Sequence, residues 1–310
     1  MTTVHPAAEP IDPIAVTAGP DAGQRLRRPG RLRSLRLGEL IVTYVPDGAV
    51  GLAPRGWLPD TTAEDWAAHA DHLDEKGYLV AGIGGLLVEL GDRALLIDTG
   101  VGPVTVPDDP GNALIGALGG GALLENLARA GRAPHTIEAV AFTHLHGDHI
   151  GWAGHPAVAG GPVFTAADYL VAETEWAHRH PSPEHAVTPG MLEVMSPRVR
   201  TIADGEEIFP GVRAMVAAGH TAGHTSYSIT SGGRRLLAFG DALHTPLQVR
   251  YPHWSSGVDH DRVASAQARN RLVDELAATG DLAFGNHFAD VVFGRVARDG
   301  AGRTSWVPLP

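Results

Sequence analysis

"AFTHLHGDHIGW", residues 141–152, crowds three histidines and an aspartate into six positions directly after an apolar run. With 17 histidines in 310 residues, a solvated His-rich loop is the plain alternative, and spacing decides between the two. His144 and His146 are two apart. On a helix they would occupy different faces, unlike the i, i+4 pair of helical zinc enzymes. In an extended segment residues i and i+2 point the same way, so both imidazoles can reach one ion. Ala139-Val140-Ala141-Phe142 reads as a short buried strand leading in, and Gly147 as the point where the chain turns sharply. Beyond that turn Asp148 and His149 can face a second position. Imidazoles and carboxylates at this density suit zinc or a similar divalent metal.

The bulk composition narrows the class. Hydrophobic residues make up 44% and charged residues 19%, the balance of an ordinary globular protein. No apolar run is long enough to span a membrane, so no membrane partner is expected. The start, "MTTVHPAAEPIDPIAVTAGPDAG", lacks a basic stretch followed by an apolar core, and a cytoplasmic location is the expectation. Zero cysteines remove disulfides, thiolate metal ligands and a Cys nucleophile together. A net charge of -11 argues against nucleic acid as a partner. The Arg-rich "RLRRPGRLRSLR" (25–36) departs from that balance and reads as a solvated arm on an acidic body.

Residues 1–36, rich in Pro, Ala and Gly, read as a flexible N-terminal extension, and 37–310 as one domain. "GLLVELGDRALLIDTG" (85–100) reads as a hairpin turning at Gly91-Asp92, and "ALLENLARAG" (122–131) as an amphipathic helix closed by Gly131. "TAADYLVAETEWAHRH" (165–180) suggests another helix, and "GVRAMVAAG" and "TSYSIT" suggest strands. "DHDRVASAQARNRLVDELAATG" (259–280) reads as a helix burying Val263, Leu272, Val273 and Leu276, with Gly280 as its C-cap. "LAFG" occurs at 237–240 before Asp241 and again at 282–285 before Asn286-His287. Each polar cluster therefore follows a short apolar run, as when ligands project from loops at strand ends.

Four elements occur in order: T-H-L-H-G-D-H (143–149), G-H-T-A-G-H-T (219–225), G-D (240–241) and G-N-H (285–287). Together they resemble the metallo-β-lactamase superfamily over roughly residues 37–310. The resemblance implies an α+β fold: an αβ/βα four-layer sandwich of two mixed sheets packed face to face with helices outside. It implies two divalent metal ions per chain, zinc foremost, with manganese, cobalt or iron as alternatives. Matched by position, His144, His146 and His220 would hold one metal, Asp148, His149 and His287 the other, and Asp241 would bridge them. His224 matches a supporting position. Asp98 resembles an aspartate that braces the first metal loop, although a turn-capping role fits it equally. Trp152 fits a pocket lining or plain burial.

Within the superfamily, two β-lactamase subclasses use a Cys where this chain has Asp241, which argues against antibiotic hydrolysis. Glyoxalase-type thioesterases carry a longer helical C-terminal part than the one helix and one strand read here after Asp241. "GDALHTPLQVRYPHW", "FGNHFADVVFGRV" and "TSWVPLP" resemble the methyl parathion hydrolase and quorum-quenching lactonase branch. Acyl-homoserine lactonases typically place a Tyr three residues after the bridging Asp, where this chain has His244. Trp57, Tyr251, Trp254 and Phe288 are candidates for an aromatic substrate pocket. The resemblance implies hydrolysis of a small ester, lactone or phosphotriester by a metal-bridging hydroxide. Asp148 and Asp241 are candidates to take the proton, and His244 to donate to the leaving group or oxyanion. The partner expected is a small-molecule substrate, and a homodimer is left open. An iron-dependent oxidoreductase on the same fold is the alternative, and a non-catalytic binding module a more distant one.

Overall fold

A computed structural model describes residues 22–155 and 162–310 of the chain. Two sheets carry the fold. The first holds nine strands: β1 (Arg33–Leu37), β2 (Leu40–Leu52), β3 (Leu79–Leu90), β4 (Arg93–Ile97), β5 (Thr105–Val106), β6 (Ile115–Gly119), β7 (Ala139–Ala141), β8 (Asp168–Ala172) and β9 (Val199–Ile202). The second holds seven: β10 (Glu207–Phe209), β11 (Val212–Val216), β12 (Thr225–Ser231), β13 (Arg234–Ala238), β14 (Leu282–Phe284), β15 (Phe293–Arg298) and β16 (Thr304–Pro308). The first runs β5-β6-β2-β3-β4-β7-β8-β9 with β1 paired to β2, and the second follows chain order. Both are mixed, because β4, β7, β8 and β9 are parallel neighbours in one and β13 and β14 in the other.

Continuous apolar runs dictate the layers. Side chains alternate across a strand, so a strand apolar at every position must be covered on both faces. Leu86, Val88, Leu95, Ile97, Ala141 and Leu170 point inward and pack against Val212, Ala214, Ile229, Leu236 and Phe284 of the opposite sheet. Their neighbours Leu87, Leu96, Val140, Tyr169 and Val171 point outward, beneath Leu127 of the helix Leu123–Arg129 and Ile150 of the helix Gly147–Gly154. Leu237 and Ala283 do the same on the second sheet, under Leu272, Val273 and Leu276 of the helix Arg262–Thr279. Each large aliphatic side chain so buried contributes about 1.5–3 kcal/mol before entropy is counted. The architecture is the four-layer α+β sandwich that the sequence implies.

The expected hairpin is β3–β4, with Gly91 at φ 59, and Gly280 caps the long helix in the left-handed region. Several expectations are corrected. Residues 165–180 form not one helix but strand β8 followed by the short helix Glu173–Ala177. Tyr169-Leu170-Val171 is buried on both faces between β7 and β9, and so short an apolar run fits a strand as well as a helix. Val263 is 68% exposed, because it sits on the first turn of its helix, which is capped by Asp261. Gly147 begins a helix rather than a sharp turn. Two helices and three strands follow Asp241, more than read from sequence.

The expected boundary at residue 36 falls inside β1, which pairs with β2 from Arg33 to Leu37. Arg25 donates to the Asp290 and Leu309 carbonyls, and Arg28 and Arg33 lie 2.8 and 3.7 Å from the Asp290 carboxylate. Part of the Arg-rich segment is thus bonded into the fold, while residues 1–21 lie outside the described residues. No helix among the described residues is long and apolar enough to cross a membrane.

Candidate metal centre

The parallel strand ends deliver the site. β4 ends at Ile97 and hands on to Asp98, and its neighbour β7 ends at Ala141, three residues before His144. On the opposite sheet β13 and β14 are parallel neighbours, and each copy of the recurrent "LAFG" begins in one of them and runs past its end. One copy leads to Asp241 and the other to His287. His220 follows β11. Ligand-type side chains from both sheets therefore meet at one end of the sandwich, where loops are free to carry function.

All seven residues read from the sequence converge there. His144, His146 and His220 form one group of nitrogen donors, and Asp148, His149 and His287 form a second with one carboxylate. Asp241 lies between them. Its Oδ1 is 3.2 Å from His149 Nε2 and 3.1 Å from His287 Nε2, and its Oδ2 is 3.2 Å from His287 Nε2, 3.4 Å from His220 Nε2 and 3.8 Å from His144 Nε2. His220 Nε2 and His146 Nδ1 are 3.2 Å apart. Six of the seven are buried or nearly so, and Asp148, with a side chain 28% exposed, is the least enclosed.

A layer of partners orients these rings, as metal-binding imidazoles require. Asp98 Oδ2 lies 2.9 Å from His149 Nδ1, and the same carboxylate accepts from the Thr143 amide and hydroxyl, both at 2.8 Å. Asp98 sits at φ 60, an unusual conformation for a residue with a side chain. It therefore braces the 143–149 loop. Asp259 holds His220 Nδ1 at 2.9 Å, the Gly82 carbonyl holds His287 Nδ1 at 2.7 Å, and His224 Nε2 accepts from the Asp241 amide at 3.0 Å. Glu175 ties two loops together, accepting from Leu145 N at 3.0 Å, Thr221 Oγ1 at 2.7 Å and Gly223 N at 2.9 Å.

Burial, with the neighbouring imidazoles adding to it, pushes His144 and His146 well below the ordinary imidazole range. They are neutral, the form that offers a lone pair. Burial acts on His149 in the same direction, but Asp241, Asp148 and Asp98 outweigh it and hold the ring well above its usual value. Asp241 is held well below the carboxylate range: burial opposes this, and His287, His149, His144 and His244 overcome it.

The residues fit a pair of divalent cations. His144 Nε2, His149 Nε2 and Asp241 Oδ1 are buried with no hydrogen-bond partner, although buried polar atoms are normally satisfied. All three face the centre of the cluster. Five imidazoles and two carboxylates, with no thiolate, are a donor set suited to zinc and its neighbours.

His244 is also part of the cluster. Its Nε2 is 3.2 Å from Asp241 Oδ2, and it forms a third donor group with His220 and Asp241. Its backbone amide donates to Gln248 Oε1 at 2.6 Å, which fixes the loop. A cavity of about 190 Å³ opens on Asp148, Asp241, His244 and His287, with Val50, Leu52, Val101, Ile115 and Leu118 as an apolar wall. A second of about 310 Å³ shares His146, His185 and His220 with the first and is lined further by His178, Arg179 and His180.

Of the expected aromatic residues, Trp57 lines the smaller cavity and meets His244 edge-on, with centroids 5.3 Å apart. Tyr251 and Trp254 stack on each other at 4.3 Å in the apolar cluster that also holds Val50 and Leu52. Phe288 is a correction: it packs fully buried against Phe239 and Trp306 in the outer core of the second sheet. Trp152 is buried with its indole N–H on Asp47, so burial is the reading that holds. Sequence reasoning missed Asp47, Glu175, His185 and Asp259. Asp259 lies 39 residues from the histidine it orients, and no local spacing announces such a pair.

The sequence profile described as the metallo-beta-lactamase superfamily matches residues 86–287. Among solved structures, the dizinc quorum-quenching lactonase AidC is 24% identical and superposes with a TM-score of 0.76, covering 91% of this chain and 98% of its own. The hydrolase AbOPH of the beta lactamase superfamily is 22% identical, with the same TM-score of 0.76 and the same coverage of 91% and 98%. A probable metal-dependent hydrolase from Staphylococcus aureus is 19% identical, with a TM-score of 0.74 over 88% of this chain and 98% of its own. No curated protein sequence matches. Two mixed sheets, an ordered set of four motifs and a profile spanning most of the domain agree: the chain belongs to the metallo-β-lactamase superfamily.

Proposed function

We propose that this protein is a dinuclear metal-dependent hydrolase of a small ester, lactone or phosphotriester. One observation carries the reading: the buried Asp241 carboxylate stands between two groups of three metal-type donors, within 3.4 Å of His220 in one and of His149 and His287 in the other. His144, His146 and His220 would hold one ion, and Asp148, His149 and His287 the other. Bound there, two dications supply Lewis acidity and bring the ionisation of a water molecule to near neutral pH. The dizinc description of AidC, a protein of the same fold, supports this metal count.

The chain's own residues supply the rest. Asp241 carries negative charge between the two groups and fixes their separation. The neutral imidazoles of His144 and His146 present lone pairs without needing to lose a proton. Val50, Leu52, Val101, Ile115 and Leu118 exclude water from one side of the cavity, which strengthens each electrostatic contact within it. His244 lines the same cavity and donates a hydrogen bond to the oxygen that gains charge as the bond to the leaving group breaks. Asp148, half open to the cavity, takes the displaced proton. No serine nucleophile enters this scheme.

The test is elemental analysis together with a hydrolysis screen of zinc- or manganese-loaded protein against the three substrate classes. About two metals per chain and turnover of at least one class is the expected result. One iron per chain with no gain on adding zinc would replace the reading with redox chemistry.

A further inference from the structure

Asp47 is a buried carboxylate at the bulge in β2 between Pro46 and Gly48, and the scheme above makes no use of it. It accepts five N–H groups. Oδ1 takes those of Gly121 at 3.0 Å, Leu123 at 2.9 Å and the Trp152 indole at 2.8 Å. Oδ2 takes those of Val101 at 2.8 Å and Gly102 at 2.9 Å. The donors come from three separate segments: the stretch 98–102, the turn entering the helix Leu123–Arg129, and the helix Gly147–Gly154. That last helix carries Asp148 and His149 on its first turn.

The stretch 98–102 is the link. At its start Asp98 holds His149 Nδ1, and Thr99 N donates to the His149 carbonyl at 2.7 Å. Further on, Gly151 N donates to the Gly100 carbonyl at 2.8 Å, and Val101 forms part of the cavity wall. The contact is backbone on backbone: a Cβ added to Gly151 would fall 2.1 Å from the Val101 carbonyl carbon. Gly100, at φ 65, has the Asp47 side chain 2.5 Å from where its own Cβ would stand. With no room to slide, this segment and helix move together or not at all.

We propose that Asp47 is the positioning residue of the second donor group, clamping the 98–102 stretch to the helix of Asp148 and His149 and so setting both that group's geometry and the adjoining cavity wall. The inference rests on the two-metal reading. A carboxylate is needed because every group facing it is a donor: in Asp47→Asn the new amide N–H₂ meets at least two buried backbone N–H groups and satisfies none.

Zinc affinity by chelator competition and amide hydrogen exchange, measured on the full chain, test it. The second group includes the partly exposed Asp148, so its zinc step is the looser; Asp47→Asn should weaken that step about tenfold, the low end of the range for a partner standing behind a ligand, and leave the tighter step unchanged. Exchange should quicken at 98–102 and 147–154 and not in the second sheet. Trp152→Phe, which removes one donor and keeps a large apolar ring, should shift the same step in the same direction by a smaller factor. Phe209→Ala, a core truncation on the distant edge strand β10, serves as the stability control.

Equal losses at both zinc steps, or a pattern matching Phe209→Ala, overturn the proposal, as does an unchanged looser step in either variant. If Asp47→Asn does not fold, Trp152→Phe decides alone. A wild-type chain saturating at one zinc instead sinks the two-metal reading and this inference with it.

Discussion

The two donor groups face one carboxylate from opposite sides but rest on different supports. In the first, each ring has something behind it: Thr143 Oγ1 lies 3.0 Å from His144 Nδ1, Asp259 holds His220, and the His185 ring stacks on His146 at 3.9 Å. In the second, His149 and His287 are as well held, by Asp98 and the Gly82 carbonyl. Asp148 is not. Among the described residues its carboxylate meets only the imidazoles of His149 and His287, at 3.8 and 3.7 Å, and its side chain is 28% exposed. A donor that must be fixed at the moment of binding costs entropy that a pre-set one does not. The first group should therefore bind the tighter ion and the second the looser one.

Asp241→Asn breaks the comparison at its pivot. Asparagine keeps the shape but removes the charge that faces both groups. Hydrolysis should fall at least about 100-fold, beyond the usual loss for residues that only stand behind ligands. One metal should remain on His144, His146 and His220, and the looser ion should be lost first. Near wild-type turnover with both metals bound would show that Asp241 does not join the two groups.

His244→Ala comes next. Both ring nitrogens of His244 are buried without a hydrogen bond, and one faces Asp241 at 3.2 Å. As a donor to the substrate oxygen, it should cost about 10–1000-fold in kcat when removed, with metal content intact. As a prop for Asp241, it should cost metal instead. Activity and metal measured on one preparation separate the two.

Asp98→Asn and Asp259→Asn form a contrasting pair: Asp98 holds His149 directly and His144 only through Thr143, while Asp259 holds His220. Each should cost about 10–100-fold in affinity, Asp98→Asn chiefly at the looser ion and Asp259→Asn at the tighter one. Should both variants lose the same ion, the two groups do not act as separate sites.

Much of this contrast was readable in the sequence, and the supports mostly were not. The seven donors stand in four short motifs because each motif is a strand end followed by its ligand loop, a local arrangement that local sequence can encode. His224 lies inside one of these motifs, and Asp98 directly follows a further strand, β4, so both could be read as supports from local sequence. Asp47, Glu175 and Asp259 are single acids in unremarkable stretches; the histidine that Asp259 orients lies 39 residues away, and the groups that the Asp47 side chain holds lie 54 or more away. The fold brings them in, and only the fold shows them. Strand β8 was mistaken for helix because its five residues are too few for a period to emerge, and tertiary burial on both faces decided the matter. Phe288 is a pocket candidate by its nearness to a motif, but neighbours in a turn can face opposite sides of a sheet, and it packs into the outer core.

The smallest effect tests the weakest support. His146 is the least buried ring of its group, and what backs it is the His185 imidazole, nearly parallel at an interplanar angle of 9°. Stacking constrains the tilt of a ring but not its distance from an ion, so losing it should loosen the tighter site without emptying it. Taking about 0.5–1.5 kcal/mol for an aromatic pair, His185→Ala should weaken the tighter zinc step about 2- to 12-fold. His185→Phe keeps a flat ring over His146 and should recover most of that loss, since a stack needs a face and not a second nitrogen. If phenylalanine fails where histidine succeeds, the nitrogen matters, and His185 acts on the ion or the substrate rather than on its neighbour. The looser step should move less than the tighter one in either variant, because His185 stacks on His146 and reaches the second group only through the charge of Asp148; an equal shift there would mean that the two groups are coupled through the 182–187 loop as well as through Asp241.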